Sequence, residues 1–252
     1  TYGNRLHEDP KDIGTMLADI INRTNRAGGN VVIPSFAIER AQELLYHLNN
    51  LLLEDRIPPL VVFMDSPMAI RVTEVFKHFP DLYDAEMTEL VRSGHSPFRF
   101  PTLKLVTSVE DSKAINYIRG TVVIIAGSGM CTGGRIKHHL VNNVERPEST
   151  ILFVGYQARG TLGRELVEGH RRVRILGETR NIRARIVQIH GFSGHADRDE
   201  LFRWISHLRK PPKHVFVTHG EPEQAQAYAE HISSRLGWKC SVPSYGDSVD
   251  LE

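Results

Sequence analysis

Cysteine is almost absent from this chain: Cys131 and Cys240 are the only two in 252 residues, and they form no CxxC pair. That excludes a disulfide framework and a cysteine-based zinc site, and it points to a reducing, cytoplasmic setting. No apolar run approaches the ~20 residues that a helix needs to cross a bilayer, so no membrane partner is expected. No signal peptide opens the chain either. Net charge is also lacking. At +1 the chain carries no global field for a polyanion, so any phosphate-binding surface must be local. Threonine at position 1 is not a natural start, so upstream sequence is expected to be missing.

What is present suffices for a large core. The composition is 40% hydrophobic and 24% charged, and a chain of this size buries roughly 70–75% of its unfolded surface. One large domain or two small ones would fit. Short β-branched runs alternate with helix-period segments. Strands are expected at Asn30–Pro34, Leu60–Met64, Leu103–Thr107, Thr121–Ala126 and Ser149–Val154. Helices are expected at Phe36–Leu53, Met68–His78, Glu110–Ile118, from about Gly134, and at Leu162–Glu168. Near-continuous apolar strands separated by helices mark a doubly wound α/β fold with a mostly parallel sheet, covered on both faces. Such sheets bind ligands beyond the carboxyl ends of their strands. The polar stretch Asp81–Pro101 reads as turns.

After Gly169 the pattern changes. Val173–Leu176 and Ile182–Ile189 alternate with arginines around Gly177, which suggests an antiparallel hairpin. A helix over Arg198–Leu208, a strand Val215–Thr218, a helix Pro222–Leu236 and a strand near Cys240–Val242 complete the chain.

Three strand ends carry the residues suited to chemistry. In Gly127-Ser128-Gly129-Met130-Cys131-Thr132-Gly133-Gly134-Arg135 a glycine-rich turn lets backbone N–H groups approach an anion at a helix start. The alternative is a tight turn that merely needs glycine. In Gly191-Phe192-Ser193-Gly194-His195-Ala196-Asp197 a histidine stands before a helix that Asp197 would cap. In Val217-Thr218-His219-Gly220-Glu221 a second histidine ends an apolar strand. Two histidines fall short of the three ligands a zinc site wants. His138 and His139 read as surface residues, His190 as structural, and the arginines at 171, 172, 174, 180, 183 and 185 as a solvated face or an RNA contact.

These segments resemble, in order and from end to end, the metallo-β-lactamase/β-CASP nucleases, closest to prokaryotic relatives of the cleavage and polyadenylation nuclease subunit. Thr1-Tyr2-Gly3-Asn4-Arg5-Leu6-His7, Ile33-Pro34-Ser35-Phe36-Ala37-Ile38-Glu39-Arg40, Met64-Asp65-Ser66-Pro67-Met68-Ala69, Ser108-Val109-Glu110-Asp111, the glycine-rich turn and Gly155-Tyr156-Gln157-Ala158-Arg159-Gly160 carry the likeness. The resemblance implies a hydrolase that cuts RNA using two zinc ions, which lower the pKa of water and stabilise charge on the phosphate. It implies that His219 is a zinc ligand and His195 the general acid at the leaving oxygen. It further implies that Gly127, Ser128, Gly129, Met130 and Arg135 hold substrate phosphates.

The resemblance also exposes a gap. The HxHxDH motif, a further histidine and a bridging aspartate of the family are not in this sequence, and the acidic partner of His195 would precede Thr1. Residues 1–8 are therefore expected to be a remnant of a lactamase domain, 9–191 a β-CASP domain, and 192–252 the C-terminal part of the lactamase domain. The parent is expected to be an RNA-cutting zinc enzyme and this piece alone inactive, without bound zinc. Apolar surface left on the last part leaves association into a homo-oligomer open. A non-catalytic phosphate- or RNA-binding α/β domain is the alternative.

Overall fold

The computed structural model describes residues 3–7 and 10–250. Thr1, Tyr2 and Glu8 of the expected lactamase remnant lie outside the described residues. The chain divides into two compact units: residues 10–192, and residues 3–7 together with 193–250.

The larger unit opens with helix α1 (Pro10–Ala27) and strand β1 (Val31–Pro34). Then come α2 (Arg40–Leu53), β2 (Val61–Asp65), α3 (Pro67–Lys77), α4 (Ala85–Arg92), β3 (Leu103–Leu105), α5 (Val109–Ala114) and β4 (Val122–Ala126). It ends with α6 (Ile136–Asn143), β5 (Thr150–Phe153), α7 (Leu162–Val167), β6 (Arg172–Ile175), β7 (Glu178–Asn181) and β8 (Arg185–Gln188). Six strands form one sheet in the order β3-β2-β4-β1-β5-β8, and every pair in it is parallel.

Side chains on a strand point alternately to its two faces, and here both faces are apolar. Val31, Ile33, Val123 and Ile125 face one side, where Leu17 and Ile21 of α1 and Leu44, Leu45 and Leu48 of α2 cover them. Val32, Ile124, Ile151 and Phe153 face the other, against Ile136 and Leu140 of α6 and Leu166 of α7. Each such side chain contributes about 1.5–3 kcal/mol of burial free energy, so the two-sided apolar pattern decides the architecture. The expected α/β class with a mostly parallel sheet holds.

Some elements differ from expectation. The hairpin exists, but β6 pairs with β7 rather than with Ile182–Ile189. Within that second run, β8 instead joins β5 in parallel and becomes the sheet's edge. Alternation with arginine looked like an exposed hairpin, whereas half-covering of an edge strand produces the same pattern. α2 begins at Arg40, four residues later than Phe36, because Glu39 takes φ 63° and cannot be helical. The stretch Asp81–Pro101 contains α4, capped by Asp84 accepting from the Met87 amide.

The smaller unit contains α8 (Arg198–Ser206), β9 (Val215–Phe216), α9 (Pro222–Leu236) and β10 (Cys240–Ser241), with β9 and β10 parallel. Its core is built on Ile205, Val217, Ala225, Tyr228 and Ile232. Gly3 lies so close to α9 that a β-carbon there would stand 2.1 Å from the Gln224 carbonyl. No described helix is long and apolar enough to cross a membrane.

Because Leu48 is fully buried between α2 and the sheet, Leu48→Ala should leave a cavity and cost about 2–5 kcal/mol. Urea unfolding followed by circular dichroism measures this; an unchanged midpoint would place Leu48 outside the core.

Candidate nucleic-acid interface

The carboxyl ends of β1, β2 and β4 meet at the glycine-rich turn. Ser35, just after β1, donates its N–H to the Ala126 carbonyl at 2.9 Å. Where a β-carbon would stand on Gly127, the Ser66 hydroxyl is 3.5 Å away. The turn connects β4 to α6 and is closed from inside. The Ser128 hydroxyl accepts the N–H groups of Thr132 (3.0 Å) and Gly133 (3.3 Å), and the Cys131 N–H reaches the Ser128 carbonyl at 3.2 Å. Gly134 sits at φ +75°, where a β-carbon would come within 2.3 Å of the Gly127 carbonyl. Gly129 leaves room for the Phe36 ring, whose carbons lie 2.8–3.1 Å from the β-carbon it lacks. Packing thus accounts for two of the glycines.

What the turn leaves unengaged is backbone. Among the described residues, the N–H groups of Gly129, Met130, Gly134 and Arg135 make no hydrogen bond to another residue. Gly129 and Met130 are the central pair of the turn closed by Ser128 and Cys131, and Gly134 and Arg135 lead into α6. This is a set of donors suited to an anion. Burial pushes the Cys131 thiol up to about 12, so this cysteine is no nucleophile.

Arg135 stands elsewhere than the motif suggested. Its guanidinium turns inward, donating to Asp65 Oδ1 (2.7 Å), the Val106 carbonyl (3.1 Å) and the Thr107 carbonyl (2.6 Å). His139 departs from the surface position expected of it. It is wholly buried, and its Nε2 pairs with Asp65 Oδ2 at 2.6 Å. Residues 135 and 139 lie one helical turn apart, so both face the same carboxylate. The Ser112 hydroxyl donates to Asp65 at 2.5 Å. Burial alone would raise the Asp65 pKa, but the hydrogen bonds from His139, Ser112 and Arg135 outweigh it and hold it below the usual carboxylate range. Sequence reasoning missed Asp65, Ser112 and His139. An aspartate closing an apolar strand and the four-residue spacing of Arg135 and His139 were the available signals.

In the smaller unit, His195 is exposed, and its N–H donates to the Ser193 hydroxyl at 3.2 Å. Two residues on, Asp197 caps α8, accepting from Asp199 and Glu200, while the Glu200 carboxylate accepts the Asp197 N–H. Asp197 also accepts the His7 N–H at 3.1 Å, which ties residues 3–7 to the His195 turn. His219 follows β9 in an exposed turn at φ 59°, a conformation costly for a non-glycine residue.

The described residues do not fit a zinc site on their own. Catalytic zinc takes three protein ligands. The group of candidate ligands that comes together is His7, Asp197 and Glu200, and its carboxylates are already engaged in capping. Neither His195 nor His219 belongs to that group.

The sequence matches the Beta-Casp domain family over residues 41–166 and the Zn-dependent metallo-hydrolase RNA specificity domain over residues 179–243. It is 40% identical to a protein named ribonuclease TTHA0252 from Thermus thermophilus, covering 100% of this chain and 57% of that protein. It is 32% identical to an RNase J-like protein from Methanocaldococcus jannaschii, covering all of this chain and 58% of that one. It is 30% identical to the transcription termination factor FttA of Thermococcus kodakarensis, of which it covers 40%. The chain spans about half the length of these relatives.

The lowered Asp65 pKa makes a pH-dependent contribution to stability. A depressed carboxylate stabilises the fold above its unfolded pKa of about 3.9, and that contribution is lost as pH falls through the folded value. Asp65→Asn should therefore lower the melting temperature at pH 7, and the gap to wild type should narrow below about pH 4. A gap independent of pH would show that the carboxylate charge is not what the network holds.

Proposed function

The chain belongs to the β-CASP family of metallo-β-lactamase RNA nucleases, and from that membership we propose that its parent protein hydrolyses RNA phosphodiesters in RNA processing or decay. The observation that carries the reading is the turn 127–135, with its unengaged N–H groups at the carboxyl edge of a parallel sheet. A phosphodiester oxygen is the anion those groups suit. In this reading residues 9–191 are the β-CASP domain, and residues 1–8 with 192–252 are parts of the lactamase domain.

Within the turn the roles divide. The backbone at Gly129 and Met130 contacts phosphate, while Gly127 and Ser128 shape the turn. Arg135 acts from beneath, holding the start of α6 to Asp65. His195, exposed on a turn fixed by the Asp197 cap, delivers a proton to the leaving oxygen. His219 would supply one imidazole to a zinc ion, which when bound would activate water. Among the described residues no group of three candidate ligands includes His219. The family description supports a zinc cofactor.

The two histidines should separate in the full-length protein. His219→Ala should lower zinc content and RNA cleavage together, as elemental analysis and a labelled-RNA assay would show. His195→Ala should slow cleavage about 10²–10⁴-fold with zinc retained. Zinc and cleavage both unchanged in His219→Ala would remove it as a ligand, and wild-type cleavage by His195→Ala would exclude the proton role.

The 252-residue chain alone should behave as a binding module. It should bind RNA through the turn but hold zinc poorly and cut nothing, since one imidazole does not make a three-ligand site. Assaying it beside the full-length protein on one RNA with added zinc tests this. Robust zinc-dependent cleavage by the chain alone would mean that the active site lies elsewhere.

A further inference from the structure

An aromatic ring stands exposed beside the unengaged amides. Phe36 follows β1 and is 48% exposed, although the four strand residues before it are all buried. Its backbone is fixed: the preceding Ser35 N–H donates to Ala126, and the Ser35 hydroxyl donates to the Phe36 carbonyl at 3.0 Å. Its ring rests directly on Gly129, where three ring carbons lie 2.8–3.1 Å from the position of a missing β-carbon. Any other residue at 129 would displace the ring. Gly129 is held in turn by its carbonyl, which accepts from the Gln157 side chain at 3.0 Å.

The segment that carries the ring is also strained. Glu39 has φ 63° and ψ −59°, and the Arg40 N–H closes onto the Ile38 carbonyl at 2.8 Å. This is a positive-φ γ-turn, a rare and costly conformation for a side-chain-bearing residue. It delays the start of α2, so Phe36 stays in the loop at the sheet's carboxyl edge instead of turning with a helix face into the core. A simple packing role would not require an aromatic ring left half in water. Bare amides and a seated aromatic ring, side by side, are what a nucleotide presents partners for: the amides take its phosphate and the ring takes its base.

We propose that Phe36 is a base-stacking subsite for an unpaired nucleobase of single-stranded RNA, adjacent to the phosphate-binding turn. The proposal rests on the reading of that turn as an RNA-phosphate site. Stacking accepts any base because every base has a π-face, so the subsite confers preference for unpaired over paired RNA without sequence selection.

The test compares single-stranded RNA with an abasic ribose-phosphate chain of equal length, by fluorescence anisotropy at several salt concentrations. The wild-type protein should bind the base-bearing chain about tenfold more tightly or better. Phe36→Ala should bring the two affinities together while keeping the salt slope, which reports phosphate contacts. Phe36→Trp should keep the preference. Phe36→Leu, which retains apolar bulk and protects the fold, should lose it. An undiminished preference in Phe36→Ala or Phe36→Leu would overturn the stacking subsite and leave the phosphate reading standing. A lowered melting temperature with the preference intact would overturn it as well, marking the ring as a packing surface. Wild-type protein that binds neither chain would overturn both readings.

Discussion

The buried carboxylate of Asp65 is the interaction on which the carboxyl edge of the larger unit's sheet depends. It ends β2 with no solvent exposure and gathers three donor residues from two elements: Ser112 of α5, and Arg135 and His139 at the start of and within α6. A carboxylate buried without partners would be several kcal/mol unfavourable, and removing one partner of such a group leaves the others uncompensated. The arrangement is therefore all or nothing. Arg135 extends it to the Val106 and Thr107 carbonyls just after β3. A single anion thus ties together the carboxyl ends of β2 and β3 and the exit of the glycine-rich turn. In a parallel sheet those ends are where a ligand sits.

That anchoring explains why the turn's side chains and its backbone have opposite orientations. Ser128 folds inward onto Thr132 and Gly133, and Arg135 folds inward onto Asp65. With these polar side chains committed to the protein, the N–H groups of Gly129, Met130, Gly134 and Arg135 are left without a protein acceptor among the described residues. A preorganised amide set needs no side-chain ordering on binding, which is the entropy that flexible lysines and arginines would lose. The near-zero net charge fits the proposed reading, in which recognition is local and carried by oriented dipoles rather than by a field.

Much of the fold was legible in the sequence, because both faces of the sheet are apolar. Five of its six strands and the helices after them follow from runs such as Val122–Ala126, whereas α1 and α4 were not expected. The sixth, β8, falls within the expected run Ile182–Ile189, but its pairing was hidden: Arg185–Gln188 is half-covered on an edge, and its alternation fits a hairpin equally well. The turn and the two histidines stood out as motifs, but their geometry did not. Nothing in Gly134-Arg135-Ile136 says whether the guanidinium faces water or Asp65, which lies 70 residues earlier in the chain. Buried polar pairing is a tertiary fact. The same holds for His139, whose neighbour His138 is exposed on the same helix.

Backbone strain follows the same division. Among the described residues, positive φ at non-glycine positions occurs at Glu39, Cys131 and His219, each in a turn that leaves the carboxyl end of a strand, and also at Asp55 and Leu176. Such conformations cost about 1–3 kcal/mol each and persist only when the surroundings over-determine them. Around Glu39 and Cys131 the surroundings are rigid: a two-faced apolar sheet below and the Asp65 network at its edge. The stability of the sheet and the strain held in its edge turns are therefore linked. The two-sided packing supplies the rigidity that lets strained turns and unpaired amides persist at the sheet's carboxyl edge.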